Sequence, residues 1–163
     1  GILLGTGAGA AMGFAAGLFS FIVWTFMPPN PVTAFVFTPT AAPGNFWSLV
    51  ICFVPRILTG VVASLMFKLL SRLLDGKKGA TGVIYAVSGV LGSLTNTLLV
   101  MGGIYVFFGK SYATAMDISF NLLLGIIGTT ILTNGVLEAI VGGLVACGVC
   151  IPMKKMMRRT LPL

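Results

Sequence analysis

The chain has 163 residues, of which 57% are hydrophobic and only 8% charged. A soluble domain carries about 25% charged residues and at this length cannot hide so much apolar surface, so a free-standing soluble fold is excluded and the surplus must face lipid. The formal charge of +7 comes from ten Lys or Arg against three acids. These bases flank apolar runs, at Lys68 to Lys78 and Lys154 to Arg159, which is how membrane topology is encoded, and no nucleic-acid partner is expected.

Within lipid the backbone must satisfy its own hydrogen bonds, which leaves helices or a closed barrel. The apolar runs are long and lack the alternation of barrel strands. The expectation is an all-α integral membrane protein, a helical bundle in a single transmembrane domain over residues 1–163. The first span covers about 2–27 and ends at Pro28, Pro29 and Pro31, which a helix interior does not accept. A loop over 28–44 follows, rich in Pro and Thr but holding Phe35 and Phe37. The second span covers about 46–70 and runs into the basic turn Arg72 to Lys78. The third covers about 79–108 and leads to Lys110, Tyr112 and Asp117.

The remaining stretch, 118–151, is long for one helix and short for two. Placing both basic clusters in the cytoplasm requires an odd number of crossings between Lys110 and the C-terminus. The last span is therefore expected at 134–153, preceded at 118–133 by a short outer-side helix or re-entrant segment. The same logic makes the 28–44 loop external and the C-terminus cytoplasmic, in a multi-pass protein of a bacterial plasma membrane. Gly1 opens the chain inside an apolar stretch, which reads as a chain cut at its N-terminus.

Gly5, Gly9, Gly13 and Gly17 recur every four residues along the first span. Such a stripe permits close helix approach, either within the chain or onto another membrane subunit. The last span repeats the theme with Ala139, Gly143 and Cys147, and with Gly142 and Ala146.

Ionisable groups within a span are expensive and so point to function. Arg56 lies in the second span and Glu138 in the last, with Asn96 in the third. At 1.5 Å per residue, Arg56 is roughly 18 Å from Lys68, Asn96 roughly 25 Å from Gly79 and Glu138 roughly 22 Å from Met153. Three polar groups at one level on three helices predict a single internal site beneath the loop. The alternative is an Arg56–Glu138 ion pair that only fixes helix register. Pro55 frees backbone carbonyls near Arg56, which suits a cavity. Trp24 reads as an interfacial anchor, while Asn45 and Trp47 stand at the mouth of the inferred cavity.

Cys52, Cys147 and Cys150 fall inside apolar runs, the chain has no His, and no metal-ligand spacing occurs. They read as buried thiols, with no metal or cofactor expected. Without a Walker stretch, a nucleophile–His pair or paired intramembrane aspartates, catalysis is not expected.

With these residues in view, the chain resembles the substrate-binding S components of energy-coupling factor (ECF) vitamin transporters, nearest to their pantothenate-type branch. The segments that carry the resemblance are Gly1-Ile2-Leu3-Leu4-Gly5, Gly44-Asn45-Phe46-Trp47-Ser48-Leu49, Phe53-Val54-Pro55-Arg56-Ile57-Leu58, Gly92-Ser93-Leu94-Thr95-Asn96-Thr97 and Asn134-Gly135-Val136-Leu137-Glu138-Ala139-Ile140. The resemblance implies a six-helix membrane fold, of which this chain supplies helices three to six. It also implies a vitamin substrate and docking on a membrane coupling subunit driven by two ATPase subunits. For pantothenate, Arg56 would meet the carboxylate, and Asn45, Asn96, Thr97 and Asn134 would suit the hydroxyls and amide. Trp47 would border the site, and Glu138 would orient Arg56 or accept a ligand hydroxyl. Other readings are an S component for another vitamin, a solute carrier working alone, for which no internal repeat is seen, and a membrane scaffold without a ligand.

Overall fold

The computed structural model describes residues 2–74 and 80–160, the side chains of 157–160 excepted. Gly1, the loop residues Asp75, Lys77 and Lys78, and the side chains of Arg158 and Arg159 thus lie outside the described residues. In chain order the elements are α1 (Thr6–Phe26), a 3-10 turn (Pro31–Val36), α2 (Phe46–Leu73), α3 (Ala80–Ala115), α4 (Phe120–Thr130), a π turn (Ile131–Gly135) and α5 (Val136–Thr160). The short segment expected before the last span is α4, and the π turn joins it to α5 without a break. Counting that rod once, four helices among the described residues are long and apolar enough to cross a membrane.

The side-chain distribution is that of a protein solvated by lipid. Large apolar residues such as Phe14, Phe19, Leu122 and Leu144 point outward and are more than half exposed. The seams between helices are made of small residues, because in lipid close van der Waals contact, not apolar burial, holds helices together. Gly9, Gly13 and Gly17 are the buried positions of α1. A Cβ on Gly60 of α2 would fall on the Gly9 carbonyl oxygen, and one on Gly13 would fall on the Arg56 carbonyl oxygen. Gly9, Gly13 and Gly17 of the stripe thus approach the backbone and side chains of α2 closely. Gly5 stands apart from it: it caps α1 at φ 92°, with nothing within 4 Å of where its Cβ would lie. Gly89 of α3 meets Gly142 and Ala146 of α5 in a second seam of the same kind.

The helices pack in the order α1 on α2, α2 on α3, and α3 on α5. Among the described residues α1 and α5 share no substantial interface, which leaves these helices open along one flank.

The 28–44 loop is a plug. Phe35 and Val36 are buried in one cluster with Ile51 of α2 and Val100, Ile104 and Phe108 of α3. Thr25 and Thr38 join their hydroxyls at 2.9 Å, and Trp24 stacks on Phe37 with centroids 4.6 Å apart. The Ser48 hydroxyl donates to the Phe35 carbonyl at 2.6 Å, tying the plug to the first turn of α2.

This plug also explains why α3 continues past the expected end at 108 to Ala115. Phe108 packs edge-on against Phe35 at 5.6 Å, and Tyr112 packs against the same cluster. The helix stops at Asp117, whose φ of 54° lies in the left-handed region. Two reversed hydrogen bonds close its end, Ile118 N–H to Ala113 O at 2.9 Å and Asp117 N–H to Thr114 O at 3.1 Å, a common way to terminate a helix. The 36 residues of α3 make a rod about 54 Å long, well beyond a hydrocarbon core of about 30 Å.

The π turn has a geometric cause. Leu123, Ile127, Gly135, Ala139 and Gly143 are all buried, at multiples of four residues. In a pure α-helix each step of four drifts by about 40°, so the drift from Leu123 to Gly143 is about 200°. A π turn takes up one extra residue, returning about 100° and keeping this seam nearer to α3.

Candidate functional site

The open flank between α1 and α5 holds a cavity of about 490 Å³, within the range of about 300–1,000 Å³ typical of small-molecule sites. Most of its wall is glycine and alanine, among them Gly9, Gly13, Ala63 and Gly92. Against this bare backbone stand four polar side chains, Arg56 and Thr59 from α2 and Ser93 and Asn96 from α3. In each pair the residues are three apart and so share a helix face.

Arg56 is held by a consequence of Pro55. Proline has no N–H, so the carbonyl four residues earlier, that of Ile51, receives no helical hydrogen bond. The Arg56 guanidinium supplies the missing donor, with Nη1 3.0 Å from the Ile51 oxygen. The Phe37 ring of the plug covers the guanidinium, its centroid 5.3 Å from Cζ, a distance at which cation and ring attract. Thr59 donates to the Pro55 carbonyl at 2.7 Å. A guanidinium has five N–H donors in a fixed fork, and the Ile51 carbonyl accounts for one. The fork is thus fixed in place on the cavity wall, with donors left for an anion.

Asn96 complements it. Its Oδ1 is buried and has no hydrogen-bond partner, which is costly and marks a site for a donor. Glu138 belongs to the same level. Thr97 donates to its Oε2 at 2.7 Å, and the carboxylate lies within electrostatic range of Arg56. Arg56 and Glu138 nevertheless spend their short contacts on Ile51 and Thr97, so a direct ion pair does not fix the helix register. Asn134, Glu138 and Gly142 follow one another at steps of four along the rod that carries α5. Gly142 lines the cavity, whereas Asn134 and Glu138 are exposed and stand outside its lining.

Asn45 and Trp47 are not part of this arrangement. Asn45 is the cap of α2: its Oδ1 accepts from Trp47 N–H at 2.9 Å, and its own N–H donates to Ser48 Oγ at 3.1 Å. Trp47 stacks flat on Phe107 of α3 at 4.0 Å. Phe107 lines a separate, wholly apolar groove of about 240 Å³ with Val50, Val54 and Leu99. Two residues that line the cavity, Thr59 and Ser93, are not among the site residues expected from the sequence. Thr59 and Ser93 were signalled by their helical spacing from Arg56 and Asn96. Phe37 is visible in the sequence as an apolar loop residue, but its contact with Arg56 is set by tertiary packing.

No protein-family profile and no solved structure matches the chain. The chain is 33% identical over 150 residues to the pantothenic acid transporter PanT of Lactococcus lactis subsp. cremoris (strain MG1363), an alignment that covers 85% of this chain and 71% of that protein. By its extent and identity the chain belongs to the family of this pantothenic acid transporter.

Proposed function

We propose that this chain binds pantothenate and serves its uptake, as the substrate-binding S component of an ECF-type transporter. The observation that carries the reading is the Arg56 guanidinium, anchored at one N–H beside the cavity on the open flank of the bundle. Pantothenate offers one carboxylate, one amide and two hydroxyls. The carboxylate suits the free donors of Arg56, since charge-assisted contacts of this geometry are among the strongest available. The amide N–H or a hydroxyl suits the unpartnered Oδ1 of Asn96. Thr59 and Ser93 supply further hydroxyls, and Glu138 and Asn134 on the neighbouring helix rod complete the polar set assigned to the ligand hydroxyls.

The coupling subunit and the two ATPase subunits belong to this reading, because the chain has no Walker stretch of its own. So does the orientation, with Lys154 and Lys155 on the cytoplasmic side and the plug outside. Family membership and the charge and shape of the cavity support it together.

The test is ligand binding to the full-length protein in detergent. Pantothenate at a hundredfold over its dissociation constant should raise stability by about 2.7 kcal/mol, with other vitamins giving no shift. Arg56→Ala should weaken pantothenate binding by about 2 kcal/mol or more, roughly thirtyfold. A folded protein that responds to no vitamin refutes the reading. A response that survives Arg56→Ala within twofold moves the carboxylate elsewhere.

A further inference from the structure

We propose that the junction of α3 and α5, at the basic end of the bundle, binds the headgroup of an anionic phospholipid. The two helices are pinned there, the Cys147 thiol donating to the Gly82 carbonyl at 3.2 Å. About two turns further along α5, Lys154 and Lys155 join Thr81 of α3 and Ile151 to line a cleft of about 200 Å³. Its polar lining is thus two ammonium groups and one hydroxyl. Neither lysine has a carboxylate partner among the described residues. The cleft exceeds the roughly 30 Å³ share of one water several-fold and admits a phosphodiester with its glycerol.

The apolar surface beside it points to a lipid over a free phosphate. From Ile151 toward the middle of the membrane, α5 presents Leu144, Val141 and Leu137, which are 67%, 51% and 63% exposed. These residues are three, four or seven apart and form one strip on the helix. An acyl chain lying on that strip places its phosphate between the two lysines. Basic pockets between spanning helices recognise anionic headgroups in this way. The site is separate from the cavity that holds Arg56, and its test does not depend on pantothenate.

The experiment titrates the purified full chain with phosphatidylglycerol, phosphatidylcholine and inorganic phosphate, reading thermal stability and lipid retained in native mass spectra. Phosphatidylglycerol should be retained and should raise the midpoint above the phosphatidylcholine value. Lys154→Gln with Lys155→Gln should weaken its binding about thirtyfold, which is about 2 kcal/mol, while Lys154→Arg with Lys155→Arg should keep it. Equal response to the two lipids overturns the proposal, as does unchanged affinity in the glutamine variant. Full protection by inorganic phosphate alone also overturns it and assigns a free-phosphate site. If the glutamine variant does not fold, the wild-type titration and Lys155→Gln alone decide between the same outcomes.

Discussion

Replacing Gly13 by Ala tests whether the glycine stripe is an internal seam. An alanine Cβ at this position would lie 2.7 Å from the Ile57 Cα as well as on the Arg56 carbonyl oxygen. Ordinary contact begins near 3.4 Å, so α1 and α2 must part by at least the difference, about 0.7 Å, against backbone that cannot rotate away. Overpacking of this kind costs about 1–3 kcal/mol, which for a chain of this size lowers the thermal midpoint by about 2–12 °C. Gly102 is the control within the same bundle. It sits inside α3 with nothing within 4 Å of its Cβ position, so Gly102→Ala should be neutral or stabilise by up to about 1 kcal/mol through helix propensity. Thermal unfolding of both variants in detergent without ligand makes the comparison. If Gly13→Ala is as stable as Gly102→Ala, the stripe does not hold α1 against α2 and the reasoning fails.

Two further expectations concern the polar centre. Pro55→Ala returns a backbone donor to the Ile51 carbonyl and frees the Arg56 guanidinium, so stability should hold or rise while pantothenate affinity falls about tenfold, about 1.4 kcal/mol of lost pre-organisation; isothermal titration reads the affinity, and an unchanged value refutes the anchor. Thr97→Val removes the donor to Glu138 and should destabilise by about 0.6–1.7 kcal/mol, the range of interhelical hydrogen bonds in membranes. Thr97→Ser should retain wild-type stability in the same unfolding assay, and a valine variant equal to it would show that the bond is idle.

Much of this architecture is legible in the sequence because lipid imposes one strong rule. Apolar length marks the spans, and the prolines after Met27 mark the end of the first. Arg56, Asn96 and Glu138 stand out because polar groups are rare at that depth, and a constant helical rise brings them to one level. What escapes are contacts set by tertiary packing. Phe35 and Phe37 are visible as apolar residues in a polar loop, but nothing local says that the loop folds back onto α2 and α3. The length of α3 follows from that plug, so its end was unreadable for the same reason. Trp47 and Asn45 carry types suited to a ligand, yet one stacks on Phe107 and the other caps a helix. Residue type alone does not separate these uses.

The π turn at Ile131–Gly135 has a consequence for how the chain tolerates change. It behaves as an expansion joint: losing one residue there converts it to ordinary α-helix and swivels α4 by about 100°, leaving α5 where it is. Variation in α4 is thereby insulated from the wall that carries Gly142. The cost of such a loss falls on α4 alone, whose buried Leu123 and Ile127 would turn away from α3.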